Sequence, residues 1–81
     1  MDLIINSPRQ KKQLQITWVE FDTPDRNMII QPQHAPMIVR LKENSEILYN
    51  VVTGKKEVVK ITSGIVHITR DSVSIFASEI Q

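Results

Sequence analysis

The stretch ILYNVVTGKKEVVKIT, residues 47–62, decides the fold class. Apolar residues alternate with more polar neighbours on both sides of a central turn, at Ile47, Tyr49 and Val51 and then at Val59 and Ile61. A period of two residues is the signature of a strand with one buried face. The segment Thr53-Gly54-Lys55-Lys56 between the two runs is typical of a hairpin loop. We therefore predict a β-hairpin that joins residues 47–52 to residues 57–62.

Alternation of this kind recurs along the rest of the chain. It is found in Leu14, Ile16 and Trp18, in Val66 and Ile68, and in Val73, Ile75 and Ala77. We expect Leu14, Ile16 and Trp18 to point to one face of a strand, with Val19 on the other face. No long segment keeps a helical period. The pattern predicts an all-β protein: a small β-sandwich or flattened barrel of about eight to ten short, mostly antiparallel strands, with essentially no helix, forming a single domain over residues 1–81.

The composition is that of a folded and soluble chain. The 81 residues are 41% hydrophobic and 23% charged, unlike disordered segments. Ten basic and nine acidic residues give a net charge of +1, which is too little for sequence-independent binding to nucleic acid. The apolar runs are too short to span a bilayer. The chain has no cysteine, which excludes disulfides and thiolate sites and fits a reducing compartment.

No combination of side chains predicts catalysis or metal binding. His34 and His67 lie on different elements and lack a third ligand at the usual spacing. We interpret His67, which alternates with apolar neighbours, as a solvent-facing or edge residue. Glu20 and Asp22 could share a strand face, but a working carboxylate pair needs a pocket, and a solvated strand end is the simpler interpretation. Neither glycine belongs to a phosphate-binding motif.

Two basic pairs, Lys11-Lys12 and Lys55-Lys56, are predicted to lie in turns as solvated loop tips. Two pairs do not make a nucleic-acid patch.

Two other function classes remain alternatives. An OB- or SH3-like barrel that binds nucleic acid or another protein would need aromatic platforms and a basic groove. A small enzyme or ligand-binding sandwich would need a concave polar pocket.

The loop Pro32-Gln33-His34-Ala35-Pro36 lies between two apolar runs. Each proline fixes its own φ at about −65° and favours an extended preceding residue. The loop therefore loses little entropy when it is held in one shape, which suits a docking surface. We expect His34 to project from it as a hydrogen-bond donor or acceptor. Because no catalytic group accompanies it, we predict that the loop holds a partner.

This loop resembles the Pro-Gly-His-Ala-Pro loop of the epsilon subunit of F-type ATP synthases, called delta in mitochondria. Other segments are similar to that family, in the same order along the chain. Residues 3–8 resemble its opening strand and turn, residues 23–30 its next turn and short strand, and residues 39–42 a strand end. Residues 59–64 resemble its Ile-Ala-Val-Ser-Gly-Gly run, and residues 66–68 with 73–75 resemble its closing hairpin. The resemblance covers nearly the whole chain.

The resemblance implies a β-sandwich with a mechanical role. In the family this domain lies at the foot of the central stalk, binds the gamma subunit and touches the c-ring, while catalysis occurs elsewhere in the complex. It implies a non-catalytic rotor subunit without a cofactor, which couples ion-driven rotation to ATP synthesis or hydrolysis. Such a subunit lies peripherally, as part of the complex, on the cytoplasmic side of the inner (plasma) membrane. The family's C-terminal helical hairpin, with its inhibitory conformation, is expected to be missing.

The resemblance also assigns contact residues for gamma and the c-ring. These are Ser7, Asn27, Pro32, Gln33, His34 and Pro36. For Ser7 and Asn27 the alternative is a turn residue satisfied by its own backbone. Gln33 replaces the family's usual glycine, so it must avoid a positive φ or tolerate one at a cost of about 1 kcal/mol or more. Ile65 replaces the second glycine of Ser-Gly-Gly, and we expect it to add apolar surface to one face.

Overall fold

The computed structural model describes residues 1–80, which form eight β-strands and no helix. In chain order these are β1 Asp2–Asn6, β2 Lys11–Asp22, β3 Asn27–Ile30, β4 Met37–Arg40, β5 Ser45–Val51, β6 Lys56–Ile61, β7 Gly64–Ile68 and β8 Ser72–Ala77. The predicted all-β class without helix is confirmed. One strand departs from the prediction of short strands, because β2 has 12 residues.

The strands form two sheets that share β2. The first sheet consists of β4, β7, β8, β1 and the N-terminal half of β2. The second consists of β3, the C-terminal half of β2, β5 and β6. All of these pairs are antiparallel except β1 with β8, which is parallel. The prediction of mostly antiparallel strands is therefore confirmed.

The hydrophobic core contains side chains from both sheets. Its fully buried members include Leu3, Ile5, Ile16, Val19, Phe21, Ile30, Leu41, Ile47, Tyr49, Ile61, Val66, Ile68, Val73 and Ile75. They alternate along their strands with exposed or half-buried residues, as the period of two predicts. Burying one large apolar side chain contributes about 1.5–3 kcal/mol. Packing of these side chains therefore holds the two sheets together.

The expected alternation fails at one place in β2. The register with β5 shifts between Ile16 and Trp18, which marks a β-bulge or irregularity. An extra residue at a bulge reverses the faces of the residues that follow it. Val19 is consequently buried and Trp18 is only half-buried, so our assignment of Trp18 to the face of Ile16 was wrong. The shift lies where β2 passes from the first sheet to the second.

The hairpin that decided the fold class is present. β5 and β6 pair in register from Ser45 opposite Ile61 to Asn50 opposite Lys56. The strand ends differ by one or two residues from the predicted ranges. Gly54 lies in the turn with a φ of 98°, a conformation that a residue without a Cβ adopts readily.

Candidate docking surfaces

The outer face of the first sheet carries a stripe of exposed apolar side chains. Ile65 on β7 lies directly opposite Phe76 on β8, and they are 50% and 51% exposed. Ile38 lies on β4 and is 69% exposed. Arg40, two residues after Ile38, is the residue that pairs with Ile65. His67 pairs with Ile38 and is exposed, which confirms its solvent-facing prediction. We call Ile38, Ile65 and Phe76 the first-sheet stripe, in which Ile38 is diagonal to Ile65; exposed apolar groups close together are candidate interaction sites.

The predicted docking loop lies at one end of this stripe, because Pro36 leads directly into β4. The backbone N–H of Gln33 donates to the carbonyl oxygen of Arg70 at 3.0 Å, which ties the loop to the turn between β7 and β8. Gln33 has a φ of 70°. Of the two possibilities that the sequence left, the structure therefore has the second: a side chain occupies a left-handed position that favours glycine.

His34 is half-buried in this loop. Its Nδ1 lies 2.7 Å from the carbonyl oxygen of Ala35, and since that oxygen can only accept, Nδ1 carries the proton and donates. In the neutral ring Nε2 then remains as an acceptor. The side chain is therefore partly engaged by its own loop, and contact between His34 and a partner stays a prediction.

Ser7 lies at the other end of the first sheet. It follows Asn6, the last residue of β1, which pairs with Phe76. The Ser7 N–H donates to the carbonyl oxygen of Gln10 at 2.9 Å, and its hydroxyl accepts from the Gln10 N–H at 3.2 Å. These bonds close the turn between β1 and β2, so the Ser7 side chain has a structural role that requires no partner.

Asn27 lies on the second sheet, apart from the other predicted contact residues. It pairs with Asp22 across β2 and β3, and its amide nitrogen donates to Asp22 Oδ1 at 3.0 Å and to Glu20 Oε2 at 3.2 Å. Glu20 and Asp22 share the outer face of β2, as the sequence suggested. The structure thus places Ser7 at the end of the first sheet, Asn27 on the second sheet, and the loop of residues 32–36 at the crossing from the second sheet to the first.

The outer face of the second sheet has an apolar patch of its own. Ile29 and Leu48 both pair with Glu20, and Leu48 also pairs with Val58. Ile29 and Val58 are 55% and 51% exposed, while Leu48 and Trp18 are half-buried. We call Trp18, Ile29, Leu48 and Val58 the second-sheet patch. The sequence did not predict it, because a strict period of two assigns Trp18 to the wrong face.

A shallow cleft of about 500 Å³ lies beside Asn27 on this second face. It is lined by charged side chains of both signs, Glu20, Asp22, Glu46, Lys42 and Lys60.

Among residues 1–80, no three side chains that commonly bind metals come together to hold an ion. The same part of the chain contains no helix long and apolar enough to cross a membrane.

Four residues connect the two sheets through a polar network at one edge of the core. The ammonium nitrogen of Lys12 donates to the hydroxyl of Tyr49 at 3.2 Å and lies 3.8 Å from Glu57 Oε2. Lys55 lies 3.9 Å from Glu57 Oε1. The hydrogen bond to Tyr49 raises the pKa of Lys12, and burial raises the pKa of the Tyr49 hydroxyl. This network brings together Lys12 and Lys55, one lysine from each pair of the sequence.

The placement of the lysines differs from the prediction. Lys11 and Lys12 open β2, and Lys56 opens β6, so only Lys55 lies in a turn. The ammonium of Lys56 lies 5.9 Å from the centre of the Trp18 ring, within range of a cation–π interaction. Lys12 and Lys55 are distant in sequence, and the packing of the two sheets brings both to Glu57.

Comparison with known proteins identifies the family. The model for the beta-sandwich domain of the ATP synthase delta/epsilon chain matches residues 1–81. Comparison with the curated proteins finds no match. Among solved structures, a chain of the Euglena gracilis mitochondrial ATP synthase, described as OSCP/F1/c-ring, has a TM-score of 0.89 at 20% identity. A chain of the Tetrahymena thermophila mitochondrial ATP synthase, described as central stalk/c-ring, has a TM-score of 0.84 at 14% identity.

These two structural matches establish the fold. They cover 98% and 100% of this chain, but only 51% of the Euglena chain and 65% of the Tetrahymena chain. This chain therefore spans between half and two thirds of the length of the two solved chains. The family match extends from the first residue to the last. The chain belongs to the ATP synthase delta/epsilon family and has that family's beta-sandwich domain.

Proposed function

We propose that this chain is a non-catalytic rotor subunit that fastens the gamma subunit of an F-type ATP synthase to the membrane c-ring. The observation that carries the proposal is the family match over residues 1–81. The solved structures with this fold are described as ATP synthase assemblies that include the c-ring. A subunit in this position needs two partner surfaces and no catalytic group. Residues 1–81 would act as a single unit.

The size of the molecule supports two partners on two faces. Its Cα atoms extend over 26 × 25 × 18 Å, so each sheet face is about as large as the roughly 800 Å² that one partner buries in a standard interface. A partner of that size would cover most of one face. The second face would then remain for another partner.

The first-sheet stripe is the proposed gamma-binding surface. It runs diagonally from the loop that contains His34 to the turn that contains Ser7, because Ile38 follows the loop and Phe76 pairs with the last residue of β1. The loop residues Pro32, Gln33, His34 and Pro36 would then form one border of the interface. Ser7 would form the opposite border.

Asn27 and the second-sheet patch are the proposed contact with the c-ring. Asn27 is exposed although its amide nitrogen is engaged by Asp22 and Glu20, so its carbonyl oxygen is the group available to a partner. In this arrangement the subunit lies on the cytoplasmic side of the membrane and is held there through the complex. Ions pass through the ring, and ATP is made or hydrolysed by other subunits.

Co-elution of the purified chain with the gamma subunit from the same source tests the proposal. We expect the two proteins to elute together at micromolar concentration. Replacing Ile65 and Phe76 together by threonine should abolish co-elution, because the β-branched hydroxyl side chain keeps strand propensity while it removes apolar surface.

The matched control replaces Ile29 and Val58, the exposed members of the second-sheet patch, by threonine. This variant should still co-elute with gamma. Separate elution of the unaltered chain would contradict the proposed function. Equal loss of binding in both variants would contradict the assignment of gamma to the first sheet.

A further inference from the structure

We propose that the outer face of the first sheet binds a protein surface that has an apolar centre and carboxylates on both sides of that centre. The proposal rests on the proposed function, since it states which chemistry the gamma subunit must present to the first-sheet stripe. It follows from the order in which apolar and charged side chains lie across the sheet.

One row of side chains runs over all five strands of the first sheet. Arg40 on β4 pairs with Ile65 on β7, which pairs with Phe76 on β8. Phe76 pairs with Asn6 on β1, which pairs with Lys11 on β2. Directly paired residues share one face of a sheet, and none of these five is buried. We call Arg40, Ile65, Phe76, Asn6 and Lys11 the cross-strand row.

The cross-strand row has a cation at each end and apolar side chains between them. Neighbouring strands lie about 4.8 Å apart, so the four steps from Arg40 to Lys11 span about 19 Å. Ile65 and Phe76, each about half exposed, fill the second and third positions. A standard interface buries roughly 800 Å² per partner, which corresponds to a disc about 30 Å across. One partner can therefore cover the apolar centre and reach both cations.

The two cations keep their charge for a partner. Ion pairs among residues 1–80 all involve Glu57. Arg40 and Lys11 are exposed and belong to none of these pairs. The neighbouring row adds no carboxylate, since it consists of Ile38, His67, Ser74, Ile4 and Gln13, paired in this order over the same five strands. Carboxylates are the protein groups that complement such cations.

The outer face of the second sheet is a poorer complement to an acidic partner. Beside its lysines it carries the carboxylates of Glu20, Asp22 and Glu46, which line the cleft. Glu46 also pairs with Lys60 across β5 and β6, so part of the positive charge is opposed within the face. A partner rich in carboxylates would meet like charges there, which suppresses binding. The difference between the faces therefore directs such a partner to the first sheet.

The number of cations favours a protein partner over a membrane. Attraction of a protein to an anionic leaflet relies on clusters of about four to eight basic residues, and the cross-strand row has only Arg40 and Lys11. Carboxylates on a folded surface have fixed positions, so they can match the separation of these two cations. The apolar centre then supplies the remaining contact area.

Association kinetics with the gamma subunit test the proposal. The row variant replaces Arg40 and Lys11 by glutamine, which removes both charges and keeps polar side chains. At low salt we expect it to bind gamma about tenfold more slowly than the unaltered chain does, because complementary charges steer the encounter. The difference should shrink at high salt, where exposed charges are screened.

The matched control replaces Lys42 and Lys60, two exposed lysines that line the cleft of the second face, by glutamine. It lowers the net charge by the same amount, and we expect its association rate to stay within about twofold of the unaltered chain. Equal slowing of the row variant and the control would overturn the proposal, since net charge alone would then explain the effect. A row variant that associates as fast as the unaltered chain would overturn it as well.

Two peptides test the same surface without gamma. Both have two central leucines, which are flanked by glutamates in one peptide and by lysines in the other. Titrated into the isotope-labelled chain, the glutamate peptide should shift amides of β7, of β8 and around Arg40 and Lys11, and it should bind about tenfold more tightly than the lysine peptide. If the unaltered chain does not bind gamma, the proposed function fails, and the peptide comparison still decides the inference. Equal affinity for both peptides, amide shifts confined to the second sheet, or binding to phosphatidylserine vesicles without binding to the glutamate peptide would overturn it.

Discussion

Replacing Gln33 by glycine is expected to stabilise the protein, although glycine usually destabilises. The reason is the φ of 70° at this residue. A left-handed conformation costs a residue with a Cβ roughly 1–2 kcal/mol, while glycine adopts it freely. The Gln33 side chain is exposed, so its removal sacrifices little packing. The backbone hydrogen bond to Arg70 is kept, because glycine retains its N–H.

The opposing contribution comes from the unfolded chain. Glycine has more conformations to lose on folding, which costs roughly 0.5–1 kcal/mol relative to alanine. The midpoints of the two ranges leave a net stabilisation of about 0.75 kcal/mol. For a domain of this size each kcal/mol shifts the melting temperature by about 4–8 °C, so we expect a rise of about 4 °C in a thermal melt followed by circular dichroism.

Gln31 provides the matched control. It lies at the start of the same loop, is exposed, and does not have a positive φ. Glycine at Gln31 gains nothing in the folded state and should lower the melting temperature. If glycine at Gln33 also lowers it, or if the two variants shift it equally, then backbone strain at Gln33 is not relieved by glycine and the reasoning is wrong.

Three further predictions follow from single groups. Replacing His34 by glutamate should weaken co-elution with gamma and lower the melting temperature by at most about 4–8 °C, since the ring's one hydrogen bond is worth about 1 kcal/mol; loss of the folding transition would instead assign His34 to the core. Replacing Gly64 by alanine should destabilise by about 1–3 kcal/mol in denaturant melts, because the added Cβ would lie 2.7 Å from the carbonyl oxygen of Phe76; unchanged stability would mean that the strands can separate there. The pKa values of Lys12 and Tyr49 are raised above 10.5 and 10.0, so the folded state binds these two protons more tightly than the unfolded state does. The contribution of this pair to folding stability is therefore fully present below about pH 10, and it should be lost as the pH rises further. A Tyr49→Phe variant should show a smaller fall in melting temperature over that range, and an identical fall would contradict the role of this pair.

Hydrophobic alternation predicted most of the fold because strand faces are a local property. The inward positions of Ile47, Tyr49 and Ile61 follow from a period of two, and so does the exposed position of His67. The two prolines predicted the loop of residues 32–36, and the family resemblance added the contact assignments of that loop and of Ser7. The contacts of these residues with a partner remain predictions.

The features that the sequence did not predict depend on contacts between distant segments. A bulge leaves no mark in the composition of β2, so a strict period of two assigned Trp18 to the face of Ile16, and only the pairing with β5 reveals the reversal. Lys12 and Lys55 lie more than 40 residues apart in the chain, and both reach Glu57 only after the strands have paired and the two sheets have packed together. The loop conformation at Gln33 likewise depends on its hydrogen bond to Arg70.

The sharing of β2 between the two sheets has a mechanical consequence. In a sandwich whose layers touch only through side chains, a sideways load can make one layer slide over the other, because apolar contacts are non-directional. Here the 12 residues of β2 run through both layers, so such a load also pulls along the covalent backbone. A force applied to the first sheet would therefore reach the second with little lag. A unit that resists shear in this way suits a rigid connection between two parts that turn together.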